Sequence, residues 1–116
     1  LTVESTAGEI LVNGGGNITV SGNNSSGLFR LGGGQTVLEG FSLLDGSVSS
    51  ASGAITNLAG TLTVNSCTIS DNIGTGILNT GFGTLTVNNC LITNNSSTSS
   101  GGAIYNDGTL LVPIRH

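Results

Sequence analysis

A phrase that returns every 22 to 27 residues constrains this chain more than anything else in it. Gly53-Ala54-Ile55-Thr56-Asn57 is followed by Gly60-Thr61-Leu62-Thr63-Val64-Asn65-Ser66-Cys67-Thr68-Ile69-Ser70-Asp71-Asn72. The phrase comes back as Gly76-Ile77-Leu78-Asn79, then Gly83-Thr84-Leu85-Thr86-Val87-Asn88-Asn89-Cys90-Leu91-Ile92-Thr93-Asn94-Asn95. A third copy runs from Gly101-Gly102-Ala103-Ile104-Tyr105-Asn106 through Gly108-Thr109-Leu110-Leu111-Val112. Upstream the beat persists in weaker form, with Phe41-Ser42-Leu43 matching Cys67-Thr68-Ile69 and Ile18-Thr19-Val20 one step earlier. A fixed period of this size is the mark of a solenoid, in which each repeat buries its apolar face only against its neighbours.

Within one period, three short apolar clusters lie near Ile55, Leu62–Val64 and Cys67–Ile69, separated by only a few residues. Alternation along a strand sends Leu62 and Val64 to one face and Thr61 and Thr63 to the other. The sequence therefore predicts an all-β fold, a single-stranded parallel β-helix of about four to five coils of 22–27 residues, three short strands per coil. A right-handed coil follows from the usual hand of parallel crossovers. Residues 1–116 read as one domain, with a weaker coil over 1–26, clear repeats over 27–112 and a tail at 113–116. Serine-rich stretches at Gly46–Ser52 and Ser96–Gly101 read as loops inserted at one corner.

Stacked coils bring equivalent residues one strand spacing apart, about 4.8 Å. The expected inward ladders are Ile55/Ile77/Ile104, Leu62/Leu85/Leu110, Val64/Val87/Val112 and Ile69/Ile92. Asn57, Asn79 and Asn106 should form an amide ladder at a corner, because an amide both donates and accepts. Cys67 and Cys90 should stack facing inward; two buried thiols are expected rather than a disulfide, whose geometry is awkward between in-register parallel neighbours.

Composition narrows the function. Only 7% of residues are charged and twenty are glycine, so strands and tight turns dominate. The net charge of −4 arises from few charges of either sign. Arg30 and Arg115 are the only cations able to neutralise phosphate, which speaks against nucleic acid as a partner. No apolar run is long enough to insert into a bilayer as a helix. Low charge with abundant Asn, Ser and Thr points to an extracellular or cell-surface location, with surface glycans as conceivable partners.

Gly101-Gly102-Ala103-Ile104, with Ser52-Gly53-Ala54-Ile55 before it, resembles the repeats of polymorphic outer-membrane proteins and related autotransporter-adhesin surface solenoids. A second signature of that family is Phe followed three residues on by Asn; here the matching places hold Ile69 with Asn72 and Ile92 with Asn95. The resemblance covers roughly Gly27 to Val112. It implies a surface-displayed β-helix with a structural or adhesive role, and it implies no particular activity.

The residues admit three other readings. Asp45 and Asp71 hold the same coil position, followed by Asn94, and stacking would leave their carboxylates about 5 Å apart, the spacing of a retaining glycoside hydrolase. Asp and Asn at a strand end are also ordinary turn formers, and no lysine is present to assist a lyase, so turn formation is the preferred reading. Two carboxylates are few for calcium, and the sole histidine, His116, is terminal, so no metal or cofactor is expected. Thr61, Thr63, Thr84, Thr86 and Thr109 form an outward array suited to ice or glycan binding, imperfect in that Leu111 replaces a threonine and the upstream Thr36-Val37-Leu38 lacks the second. The triplets Gly14-Gly15-Gly16 and Gly32-Gly33-Gly34 read as corners. No capping helix is visible near Leu1, and Pro113 can blunt an edge, so the ends suggest either a fragment of a longer solenoid or subunits that stack end to end into a filament.

Overall fold

The structure, a computed structural model, describes residues 2–22, 28–46, 53–96 and 102–112. Apart from Gly46 and Ser96, the two serine-rich insertions lie outside the described residues, as does the tail at 113–116. Ten strands make one sheet: β1 (Thr2–Ser21), β2 (Phe29–Leu44), β3 (Gly53–Asn57), β4 (Thr61–Asn65), β5 (Thr68–Ser70), β6 (Thr75–Asn79), β7 (Thr84–Asn88), β8 (Leu91–Thr93), β9 (Ile104–Asn106) and β10 (Thr109–Leu111). Every strand pairing is parallel, and no helix occurs among the described residues. The chain is a β-solenoid of stacked coils.

Three faces share the coil. On the first, Phe29 pairs with Ile55, Ile55 with Ile77 and Ile77 with Ile104. On the second, Ile10, Thr36, Leu62, Leu85 and Leu110 stand in register. The third aligns Val20, Leu43, Ile69 and Ile92. The core runs along the axis and is closed in the middle, where Leu38, Leu43, Ile55, Leu62, Val64, Ile69, Ile77 and Leu85 are fully buried. Each contributes about 1.5–3 kcal/mol by leaving water. Val12 and Val20 near one end, and Ile92, Ile104 and Leu110 near the other, are only partly buried against it. Phe29 and Phe41 meet inside with ring centroids 5.9 Å apart and planes tilted by 56°.

Three details depart from the sequence reading. The three-strands-per-coil pattern describes residues 53–93, but β1 and β2 each run unbroken around the corners. Glycine is the reason: Gly15, Gly16, Gly34 and Gly40 all take positive φ, so the backbone bends while still pairing, at the cost of register shifts such as that between Asn13 and Ile18. Second, Thr36 faces inward opposite Leu62, and Gln35 takes the outward place beside Thr61. A shift of one residue exchanges the faces of a strand. Third, Val112 lies beyond β10 and is 54% exposed instead of capping Val87.

Thr36 is 3% exposed, and its hydroxyl has no hydrogen-bond partner. A buried unpaired hydroxyl between Ile10 and Leu62 costs folding free energy that a methyl group would not. Thr36→Val should therefore raise stability by about 1–2 kcal/mol. A urea midpoint that moves up at unchanged slope is the expected result.

Candidate functional site

Asparagine lines three corners of the coil, and each column is bonded differently. Asn57 Nδ2 donates to Asn79 Oδ1 at 2.8 Å, and Asn79 Nδ2 donates to Asn106 Oδ1 at 2.8 Å. The amides also close their own turns: Asn57 Nδ2 donates to Gly60 O (2.9 Å) and Asn57 Oδ1 accepts from Gly60 N–H (3.2 Å). Asn57 and Asn79 are fully buried, whereas Asn106 is exposed on the last described rung. On the other side the column stops at Leu31, which pairs with Asn57. These amides explain the glycine that opens each Gly-Thr-Leu phrase. A Cβ on Gly83 would run into Asn79 Oδ1 and lie 2.7 Å from Asn57 Nδ2.

A second column joins Asn72 to Asn95. Asn72 Nδ2 donates to Asn95 Oδ1 at 2.8 Å and to Ser70 O at 2.9 Å, while Gly46 N–H donates to Asn72 Oδ1 at 2.7 Å. Asn95 Nδ2 donates back to Ile69 O at 3.0 Å. This ladder sits against the Gly-Ala-Ile strands. A Cβ on Gly76 would stand 2.7 Å from Ala103 O and 3.1 Å from Asn95 Nδ2, and one on Gly102 would stand 2.5 Å from Asn95 O. The small residues and the asparagine are thus two sides of one corner.

The Asp45/Asp71/Asn94 column lies two residues past the Leu43/Ile69/Ile92 ladder, all three with φ near 55°. Left-handed backbone is what Asp and Asn tolerate better than other side-chain-bearing residues. Asp45 receives a long hydrogen bond from Ser21 Oγ (3.4 Å), and Asp71 is exposed. Arg30 is also exposed, in the column that continues through buried Thr56, half-buried Leu78 and exposed Tyr105, on a different face from the two aspartates. The outward threonine columns are Thr61/Thr84/Thr109 and Thr63/Thr86, continued by Gln35 and Glu9 in the first and by Leu111, Val37 and Leu11 in the second.

Cys67 and Cys90 are free thiols stacked on the inner side, the first buried and the second half-buried. Cys67 N–H points at Cys90 Sγ (3.5 Å). A hydrogen bond from the Cys67 thiol, helped by that backbone N–H, lowers Cys90 to about 7 against the opposing effect of burial. The same thiol–thiol bond, together with burial, pushes Cys67 far above its ordinary value.

The third asparagine column was not apparent from the repeat. Asn13, Glu39, Asn65 and Asn88 stand in register at the corner after the second face. Asn88 Nδ2 donates to Asn65 Oδ1 at 2.8 Å. Behind them Gly40, Ser66 and Asn89 all adopt left-handed backbone, which swings the chain away and leaves an open trough of about 810 Å³. The Val-Asn pair at Asn65 and Asn88, 23 residues apart, was the available signal.

Residues 89–107 match the family model described as the Chlamydia polymorphic membrane protein repeat. That stretch holds Asn95, Gly102, Ala103 and Asn106, so it spans the small-residue corner and one rung of the buried amide column. No curated protein and no solved structure matches the chain. The repeat and the stacked parallel coils together fit a polymorphic outer-membrane-protein-like β-helix.

Two measurements check this geometry. Asn79→Ala strips a partner from Asn57 and leaves the Gly83 carbonyl without its amide, so it should cost about 3 kcal/mol, against about 1 for Asn106→Ala at the exposed rung. Equilibrium denaturation of the two variants gives the comparison. Native alkylation should label Cys90 alone, half-maximally near pH 7, with Cys67 modified only after unfolding. The stability signs oppose: Cys90 adds stability as pH rises from about 7 to 9, and Cys67, held protonated, removes it above 9. Mass spectrometry across a pH series reads the labelling.

Proposed function

We propose that this chain is a non-catalytic, structural and adhesive segment of a cell-surface β-solenoid. The polymorphic membrane protein repeat at residues 89–107 carries that reading, since it names a membrane-protein family built of such repeats. The structure is consistent with it. Its conspicuous internal polar groups, the amide ladders, are spent on holding coils together, and Asp45 and Asp71 occupy left-handed turn positions. A solenoid of this kind sets side chains at fixed intervals along a rigid rod, a useful form for display. Hydrolysis of polysaccharide through Asp45 and Asp71 is the competing reading, and ice or glycan binding on the threonine face is another.

End-to-end stacking belongs to the same proposal. The β9–β10 rung carries partly buried Ile104 and Leu110 beside exposed Tyr105, Leu111 and Val112, and the exposed Asn106 amide stands at the end of its column. A second copy laid on this edge would continue the ladder as a head-to-tail association. Cross-linking with increasing concentration should then give a ladder of oligomers that Ile104→Lys abolishes.

Displayed on the surface of a non-adherent bacterium, the chain should increase attachment to epithelial cells or to an extracellular-matrix layer, with Asp71→Asn as effective as the parent. Release of reducing ends from a polysaccharide panel, lost in Asp71→Asn, would instead establish an enzyme.

A further inference from the structure

We infer that the trough along the Asn13/Glu39/Asn65/Asn88 corner binds a neutral, extended oligosaccharide. This deepens the adhesive reading and rests on it. The four side chains lie on consecutive rungs, so at about 4.8 Å per rung the polar row runs for about 14 Å along the solenoid axis. That is a ligand with its own axial repeat, not a compact metabolite. A sugar chain offers hydroxyl groups at every unit, and the row answers with donors and acceptors at every rung.

The hydrogen-bonding capacity of the row is largely free. Asn13 Oδ1 accepts from Gly15 N–H at 2.7 Å, and one Asn88 N–H is used on Asn65 Oδ1. The Asn13 and Asn65 Nδ2 groups, the Asn88 side-chain Oδ1 and the Glu39 carboxylate have no other protein partner among the described residues. An amide paired in this way is held in one orientation, which reduces the ordering cost of binding. A carboxylate accepts from two adjacent hydroxyls at once, as a vicinal diol requires.

Charge selects the class of sugar. Among the described residues Glu39 is the only charged one lining the trough, and no cation lines it. Sulfated or uronic-acid chains would meet a like charge there. An extended peptide is disfavoured for a different reason. Its side chains need apolar pockets or its backbone an open sheet edge, and the trough wall is Asn, Gly, Ser and Glu on rungs already paired on both sides from Glu39 to Asn65. With no aromatic ring in the wall among the described residues, affinity per site is low, and attachment comes from many sites or many copies acting together.

Amide-resolved NMR titration of the full chain with cellohexaose, chitohexaose and mannohexaose tests the inference, with a heparin oligosaccharide and a Gly-Ser peptide alongside. At least one neutral hexaose should shift Glu39, Gly40, Asn65, Ser66 and Asn88 together. The Asn65→Ala/Asn88→Ala double variant should bind about tenfold more weakly, as expected for losing one to two net hydrogen bonds. Its circular dichroism should stay that of the parent, and Glu39→Gln alone, which keeps an acceptor, is the milder second variant should the double one not fold. Phe82→Ser, on an exposed turn outside the trough, should leave binding unchanged. Shifts by heparin or peptide in preference to every neutral hexaose, no shift with any hexaose, or shifts that survive the asparagine substitutions overturn it. If cell attachment persists in the double variant, the trough is not the adhesive surface although the adhesive reading stands; if the parent chain does not attach at all, that reading fails by itself.

Discussion

Parallel, in-register stacking at one strand spacing is the condition on which everything else in this molecule depends. At that distance each side chain is pressed against the side chain of the equivalent residue above and below. Repeating like charges there is unfavourable, and long flexible side chains lose much freedom. Aliphatic residues inside and amides at the corners are what such a column accepts. An amide is particularly suited, because its donor points along the axis at the acceptor of the next amide, as Asn57, Asn79 and Asn106 show.

The amide columns in turn dictate which residues surround them. Glycine before each Thr-Leu strand is a matter of room: Gly60, Gly83 and Gly108 all lie against the Asn57/Asn79 amides. At another corner Gly76 and Gly102 lie close to Asn95 and Gly76 also meets Ala103 O, and the family repeat found at residues 89–107 includes Asn95, Gly102 and Ala103. Two sequence marks that look independent are thus one packing unit.

Along the outer surface the same regularity produces rows instead of isolated groups. Threonine rows cover the second face, an acidic and amide row marks one corner, and the Asn13/Glu39/Asn65/Asn88 row opens into a trough. The thiols of Cys67 and Cys90 belong to a row as well. Their mutual hydrogen bond separates two chemically identical groups into one that ionises readily and one that does not. Proximity alone, imposed by the coil, produces that difference.

The sequence by itself determined the solenoid: period, parallel stacking, inward Leu62/Leu85 and Ile69/Ile92 ladders, and the Asn57/Asn79/Asn106 column can all be counted off the repeat. They are legible because each residue repeats at the spacing of one coil. Tertiary structure alone decided three other things. It turned Thr36 inward, since the 26-residue step that pairs Phe29 with Ile55 and Ser42 with Thr68 also sets Thr36 over Leu62, where matching threonine to threonine would set it over Thr61. It carried β1 and β2 around corners without a break, since glycine bends a ladder that Asn would interrupt. And it opened the trough, whose walls come from four rungs spread over more than seventy residues. Glu39 interrupts the asparagines, and the interval changes from 26 to 23 at Asn88, so it is their stacking that shows Asn13, Glu39, Asn65 and Asn88 to be neighbours.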